Sequence, residues 1–163
     1  MGARFRHTLQ DMEEGIGRHL VNPYQTLPRQ LIHRDFHPGN LIFQGGELVG
    51  ILDFDRVRVG IRLFDLCYMS TAVLAGCFEN VQRRERWFGF VQSLIQGYQS
   101  VLPLDQTEAF SFLYVIYLIQ SLFIGYHLDT GSTDLADFNI AMLLWFEEQH
   151  DFLEPLIEKS IAG

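Results

Sequence analysis

Residues 31–54 read LIHRDFHPGNLIFQGGELVGILDF, and three side chains in that stretch, Asp35, Asn40 and Asp53, could carry oxygen chemistry. Two apolar runs, Leu41-Ile42-Phe43 and Leu48-Val49-Gly50-Ile51-Leu52, flank Gln44-Gly45-Gly46-Glu47. A Gly-Gly pair between short β-prone runs predicts a hairpin, because a type I′ turn needs positive φ at both central residues. With Gly45 and Gly46 at the turn, Gln44 faces Glu47, Phe43 faces Leu48 and Asn40 faces Ile51. Asp53 then shares a face with Asn40, and diagonal neighbours of that kind lie roughly 7–8 Å apart. An amide oxygen and a carboxylate so placed can converge on one hard cation. The pair suits Mg²⁺, which takes few protein ligands and fills its shell with water and phosphate oxygens. The same residues also fit a plainer role, since Asp, Asn, Pro and Gly all favour turns.

Asp35 precedes Asn40 by five positions. This is the H-R-D-x-x-x-x-N spacing, in which the aspartate faces an attacking hydroxyl as base and the asparagine takes a metal ion. The segment resembles the catalytic and metal-binding loops of the protein-kinase-like phosphotransferases. Within them it looks most like the branch of aminoglycoside phosphotransferases, choline kinases and type II homoserine kinase-like proteins. That branch reads H-x-D-x-H-P-x-N, then a hairpin, then I-D-F/W-[DEG]. This chain has His33, Asp35, His37, Pro38 and Asn40, then Ile51-Leu52-Asp53-Phe54-Asp55. His37 discriminates, because protein kinases usually carry Lys or Arg there.

The resemblance implies Asp35 as the catalytic base, and Asn40 and Asp53 as the residues that hold Mg²⁺ against the phosphates of ATP. It implies that His37 lies beside them in the cofactor site and that His33 is a structural member of the loop. Asp65, in Phe64-Asp65-Leu66, matches an aspartate that braces the loop backbone, although it also fits a plain helix N-cap. Zinc on His33 and His37 is a competing reading, but no third ligand has suitable spacing. Arg34 departs from the small residue usual in the branch and copies the protein-kinase H-R-D. Family members bind amino-bearing substrates through acidic residues of their C-terminal helices, which makes Asp129, Asp134 and Asp137 candidate substrate contacts. A helix start and a solvated face account for those three equally well.

The rest of the chain must position this loop. Its 163 residues fit one domain, 1–163, with the catalytic and metal loops in 31–66 and a helical part in 66–160. The apolar fraction of 48% is ample for a core. A net charge of −8 argues against nucleic acid as a partner and favours a cationic small-molecule alcohol. Cys67 and Cys77 form no C-x-x-C pair and no secretory signal is visible, which fits reduced thiols in a cytoplasmic protein.

Phe5, Leu9, Met12, Ile16 and Leu20 predict a helix over residues 3–20, ended by Asn22-Pro23. A brief strand at Leu31-Ile32 follows. Residues 56–63 read as an irregular loop, too short for the activation segment of a protein kinase. Further helices are expected over residues 65–75 and 80–100. The charge-free run 109–126 approaches a membrane span in length, but its scattered polar residues make it a buried central helix. A loop over 128–137 is expected, then a helix to Gln149 and a last one over 152–159 with Pro155 in its first turn.

The only lysine is Lys159. Kinase-fold enzymes hold nucleotide phosphates with a strand lysine and a glycine-rich loop in an N-terminal lobe. Gly15-Ile16-Gly17 follows a helical pattern, and about 30 residues before the motif are too few for such a lobe. The expected fold is therefore α+β, mainly α: a kinase-like C-terminal lobe whose small β-hairpin carries the metal site, without the nucleotide lobe. That lobe would be supplied in cis or trans, the chain being a truncated reading frame, a fragment or half of a split protein. The expected function is an incomplete ATP-dependent phosphotransferase acting on an aminoglycoside-, choline- or homoserine-like hydroxyl. The alternative is a non-catalytic kinase-like binding module of spore-coat type. Apolar surface left by the absent lobe predicts self-association.

Overall fold

The computed structural model describes the backbone of residues 3–162 and the side chains of residues 10–161. The apolar positions Phe5 and Leu9 of the expected first helix lie outside those side chains. Helix α1 (Ala3–Ile16) continues into a π-helical turn, Gly17–Val21, and the chain leaves it at Asn22-Pro23. Two antiparallel ribbons follow. Strand β1 (Arg29–Ile32) pairs with β4 (Arg58–Ile61), and β2 (Leu41–Gln44) pairs with β3 (Glu47–Ile51). The remainder is helical: α2 (Leu63–Ala75), α3 (Val81–Gln99), α4 (Gln106–Asp129), α5 (Thr133–Glu148) and α6 (His150–Ala162). The fold is α+β and mainly helical.

Helix α4 is the centre of the core and packs against α1, α2, α5 and α6. Phe112, Val115, Ile116, Tyr117 and Ile119 are all buried along it. It is long and apolar enough to cross a membrane, yet more than half of its apolar stretch is enclosed by the other helices. Helix α3 turns Trp87, Val91 and Ile95 inward. The indole of Trp87 donates to the Ser70 carbonyl at 2.7 Å, so its one polar atom is satisfied inside the core. Edge contacts with Trp145 and Phe146 join α3 to α5.

Several expectations need correction. Residues 58–61 form a strand, β4, where an irregular loop was expected; Val59 and Ile61 alternate with Arg58 and Gly60, and a Cβ on Gly60 would stand 2.5 Å from the Ile32 side chain across the ribbon. The hairpin turn has positive φ at Gly45 (61°) and Gly46 (89°), and the pairs Gln44–Glu47 and Phe43–Leu48 form. A bulge then shifts the register, so that Ile42 meets Gly50 and Leu41 meets Ile51. Asn40 therefore does not face Ile51; its carbonyl accepts from Leu52 N–H at 2.8 Å. The extra residue in one strand breaks the period-2 argument that put Asn40 and Asp53 on one face.

Helix α4 also continues through Asp129, so the expected 128–137 loop shrinks to Thr130-Gly131-Ser132, with Gly131 at φ 74°. Helix α6 begins at His150, which puts Pro155 inside the helix, past the first turn. There it forgoes a backbone hydrogen bond.

One buried ion pair ties the ribbon side to the helical core. Arg62, at the β4–α2 junction, donates to Glu108 Oε1 at 2.6 Å and Oε2 at 2.5 Å, and to the Pro103 carbonyl at 2.7 Å. Glu108 is fully buried and also closes a capping box with Asp105 at the start of α4. The hydrogen bonds to Glu108 raise the Arg62 guanidinium above its usual range, so it stays charged. Removing one partner leaves an unpaired buried charge. Glu108→Ala is expected to lower the unfolding free energy by about 3–5 kcal/mol in urea denaturation, and the double change Arg62→Met with Glu108→Leu to recover much of that loss.

Candidate active site

The loop between β1 and β2 holds four of the residues singled out above. At its start the backbone of Arg34 is left-handed, with φ 68°. The amides of His33 and Arg34 both donate to the carboxylate of Asp65, at 2.7 Å to Oδ2 and 2.8 Å to Oδ1. Asp65 is the third residue of α2, whose N-cap is Arg62, so its carboxylate serves the loop and not the end of its own helix. His33 is buried. It accepts from Asp35 N–H on Nδ1 at 3.3 Å, which leaves the proton on Nε2 to donate to the Leu52 carbonyl at 2.7 Å. Both ring nitrogens are thereby used within the protein, and neither remains for zinc.

Asp35 sits at the centre. Its Oδ1 accepts from the Tyr68 hydroxyl at 2.9 Å, and its Oδ2 lies 3.5 Å from Asn40 Nδ2. Asn40 Nδ2 also donates to the Asp35 carbonyl at 2.9 Å. With the amide nitrogen turned inward, Asn40 Oδ1 is left as an acceptor. His37 caps the 3₁₀ turn Pro38–Asn40, accepting from Gly39 N–H at 3.1 Å, and its Nε2 stands 3.8 Å from Asp35 Oδ1. Asp53 lies two residues past β3, exposed, with φ 60°. Leu52, just before it, is pinned on one side to Asn40 and on the other to His33. Among the described residues, Arg34 and Asp53 are the two non-glycine positions with positive φ. Backbone strain of this kind, about 1–3 kcal/mol each, persists where the surroundings over-determine it.

Asp35 opens into a cavity of about 380 Å³, lined also by Arg34, Arg56, Phe64, Tyr68 and residues of α4 including Phe123 and Tyr126. A larger cavity of about 520 Å³ lies between α2 and α3 beside His37, but neither Asp35 nor Asn40 reaches it. The smaller one has the chemistry: a carboxylate, 24% exposed, at its wall can accept a proton from a hydroxyl that enters. Burial, then the bond to Asp35, pushes the Tyr68 phenol up to about 12, so it remains a donor. Tyr68 was missed from sequence although it lies one helical turn beyond Asp65 and so shares its face. Asp129, Asp134 and Asp137 are exposed around the α4–α5 turn and do not line this cavity. Among the described residues no group of three or more His, Cys, Asp or Glu side chains is arranged to hold a metal ion.

The Asp65 carboxylate is the sole acceptor for two loop amides. Asp65→Ala is expected to cost about 1.5–3 kcal/mol. Hydrogen exchange should show the His33 and Arg34 amides losing protection while the amides of α4 keep theirs.

Residues 3–109, more than half of the chain, match the sequence profile of the phosphotransferase enzyme family. The homoserine kinase of Chelativorans sp. (strain BNC1) is 38% identical over 115 residues, which are 66% of this chain and 34% of that protein. The homoserine kinase of Gluconobacter oxydans (strain 621H) is 35% identical over 82 residues, 50% of this chain and 24% of that protein. That of Hyphomonas neptunium is 38% identical over 84 residues, 50% of this chain and 26% of that protein. The chain thus spans about a third or less of the length of these relatives. No solved structure matches it. The profile runs through the loop that gathers His33, Asp35, Asn40 and their brace, and the chain belongs to the phosphotransferase enzyme family.

Proposed function

We propose that this chain is the catalytic lobe of a small-molecule kinase that moves the γ-phosphoryl group of ATP onto an alcohol. The observation that carries this reading is the arrangement of Asn40 and Asp35. Asn40 gives its amide protons to Asp35 and keeps Oδ1 for a cation, while the Asp35 carboxylate faces a cavity. Asp35 orients the acceptor hydroxyl and takes its proton as the new oxygen–phosphorus bond forms and ADP departs. Tyr68 holds the carboxylate by its other oxygen. Asp65 and His33 hold the loop, and His37 closes it beside Asp35.

Asn40 Oδ1 and the Asp53 carboxylate would hold Mg²⁺. Two oxygen donors without a closed protein cage are the sparse set this ion accepts when phosphates and water complete its shell. Bound there, it would neutralise charge on the phosphates. The positive φ of Asp53 and the pinning of Leu52 support a fixed position for that carboxylate.

The nucleotide itself needs more surface than this chain offers. Leu31 (67% exposed), Val59 (64%) and Phe54 (59%) lie on or beside the two ribbons, with Phe43, Leu48 and Leu52 also exposed. We assign this apolar face to a nucleotide-binding lobe, in the same polypeptide or another; uncovered, it would promote self-association. The homoserine kinases among the relatives favour a homoserine-like acceptor over an aminoglycoside or choline. A cytoplasmic location accords with ATP as donor and with two free cysteines.

In the complete protein, Asp35→Asn is expected to cut phosphate transfer by about 10³-fold while MgATP affinity changes by less than about threefold. Steady-state kinetics with an unchanged kcat would end the reading. The chain alone should bind MgATP only in the millimolar range, roughly 4 kcal/mol. Micromolar binding in calorimetry would remove the need for another lobe.

A further inference from the structure

We propose that the acceptor pocket beside Asp35 selects a hydroxy compound that carries an anionic group, a carboxylate in the first instance, held by Arg34 and Arg56. The proposal rests on the phosphotransfer reading above and adds the acceptor class to it. Arg34 and Arg56 are the two cations that line the cavity, and Asp35 is its one acid. Asp35 already receives the Tyr68 hydroxyl on Oδ1 and faces Asn40 with Oδ2. Among the described residues the side chain of neither arginine makes a hydrogen bond or ion pair (the Arg34 bond to Asp65 comes from its backbone amide), whereas the guanidinium groups of Arg62, Arg84 and Arg29 are engaged. Arg62 is held by Glu108 and Pro103, Arg84 lies over Phe78 and Trp145, and Arg29 lies over Tyr24. Two guanidinium groups without a protein partner at the wall of one pocket can serve as a fork for a planar anion.

The chain's net charge of −8 would suggest the opposite acceptor, a cation. Distance decides between the two. Charges beyond a Debye length of about 8 Å are largely screened, while a guanidinium in contact with a bound carboxylate acts at full strength in a partly desolvated site. Within the cavity the balance is two positive groups to one negative. A purely cationic alcohol would find no counter-ion there except the base itself. Asp129, Asp134 and Asp137, which could have served an amine, stand outside. Phe64, Phe123 and Tyr126 supply apolar walls for a short carbon chain between the anion and the hydroxyl.

The rival occupant of the same fork is the terminal phosphate of the nucleotide, and binding measurements separate the two. The full chain is titrated by calorimetry and ligand-detected NMR with L-homoserine, 4-hydroxybutyrate, 3-aminopropan-1-ol and MgATP, as wild type and as Arg56→Gln. Arg56 is exposed, so this substitution spares the core, and circular dichroism checks that it folds. The two carboxylates are expected to bind at least about tenfold tighter than the amino alcohol. Arg56→Gln should abolish that preference and leave MgATP affinity within about twofold. Equal binding of the amino alcohol, a preference that survives Arg56→Gln, an effect on MgATP instead of the acceptor, or no binding of any acceptor would each overturn the proposal. Carboxylate selectivity in a complete protein that transfers no phosphate would end the kinase reading and leave the selectivity standing.

Discussion

Two backbone amides set the terms for the rest of this structure. Arg34 turns the chain into the left-handed region, and the amides of His33 and Arg34 then point to a common place with no strand or helix to satisfy them. Successive N–H groups of this kind make an anion-binding concavity. The Asp65 carboxylate fills it, one oxygen to each donor. A neutral side chain would leave a donor short, and an acid one residue away on the helix would face elsewhere. The position of Asp35 therefore follows from the position of α2.

That helix is in turn fixed from below. Arg62 stands immediately before α2 and is bound by a buried glutamate that also caps α4. The order of support runs from the apolar core around α4, through Glu108 and Arg62, to α2, and from Asp65 to the loop. The Glu108–Arg62 and Asp65–loop links are charged hydrogen bonds with little freedom, joined by the chain from Arg62 into α2, so the strain at Arg34 is held by the core and not by the ribbons. The ribbons could not hold it. Isolated two-stranded pairs are marginal in water, and here their outer faces carry exposed Leu31, Phe43 and Val59.

How much of this was legible in the sequence depends on whether the cause is local. The turn at Gly45 and Gly46 was readable because positive φ at two adjacent positions is a property of glycine itself. The two nearest pairs of the hairpin followed from it, but the bulge opposite Ile42 did not, since nothing in Leu48-Val49-Gly50 announces an extra residue. Strand β4 was hidden because Arg58 and Gly60 look like loop residues until β1 is beside them. The turn after α4 is shorter than expected for a related reason: Asp129, Thr130 and Gly131 all look like turn residues, and only the packing of α4 carries the helix through Asp129 to the left-handed Gly131. Pro155 was placed correctly in a helix but at the wrong depth, because the start at His150 carries no strong capping residue.

The candidate site divides along the same line. The groups assigned to phosphate and metal lie within about twenty residues, on one loop and one hairpin, where spacing alone relates them. The pocket that would receive the acceptor is assembled from the loop, the segment after β3, α2 and α4. Phe123 and Tyr126 look like core residues of an apolar helix, and Arg34 and Arg56 like solvated charge, until the fold sets them around one carboxylate. Reaction chemistry can be written in a short motif because it needs a few atoms at fixed offsets. Choice of acceptor needs a surface, and a surface drawn from four elements has no period in the sequence. An acidic chain can therefore carry an arginine-lined pocket without contradiction, since net charge sums over residues that the pocket never meets.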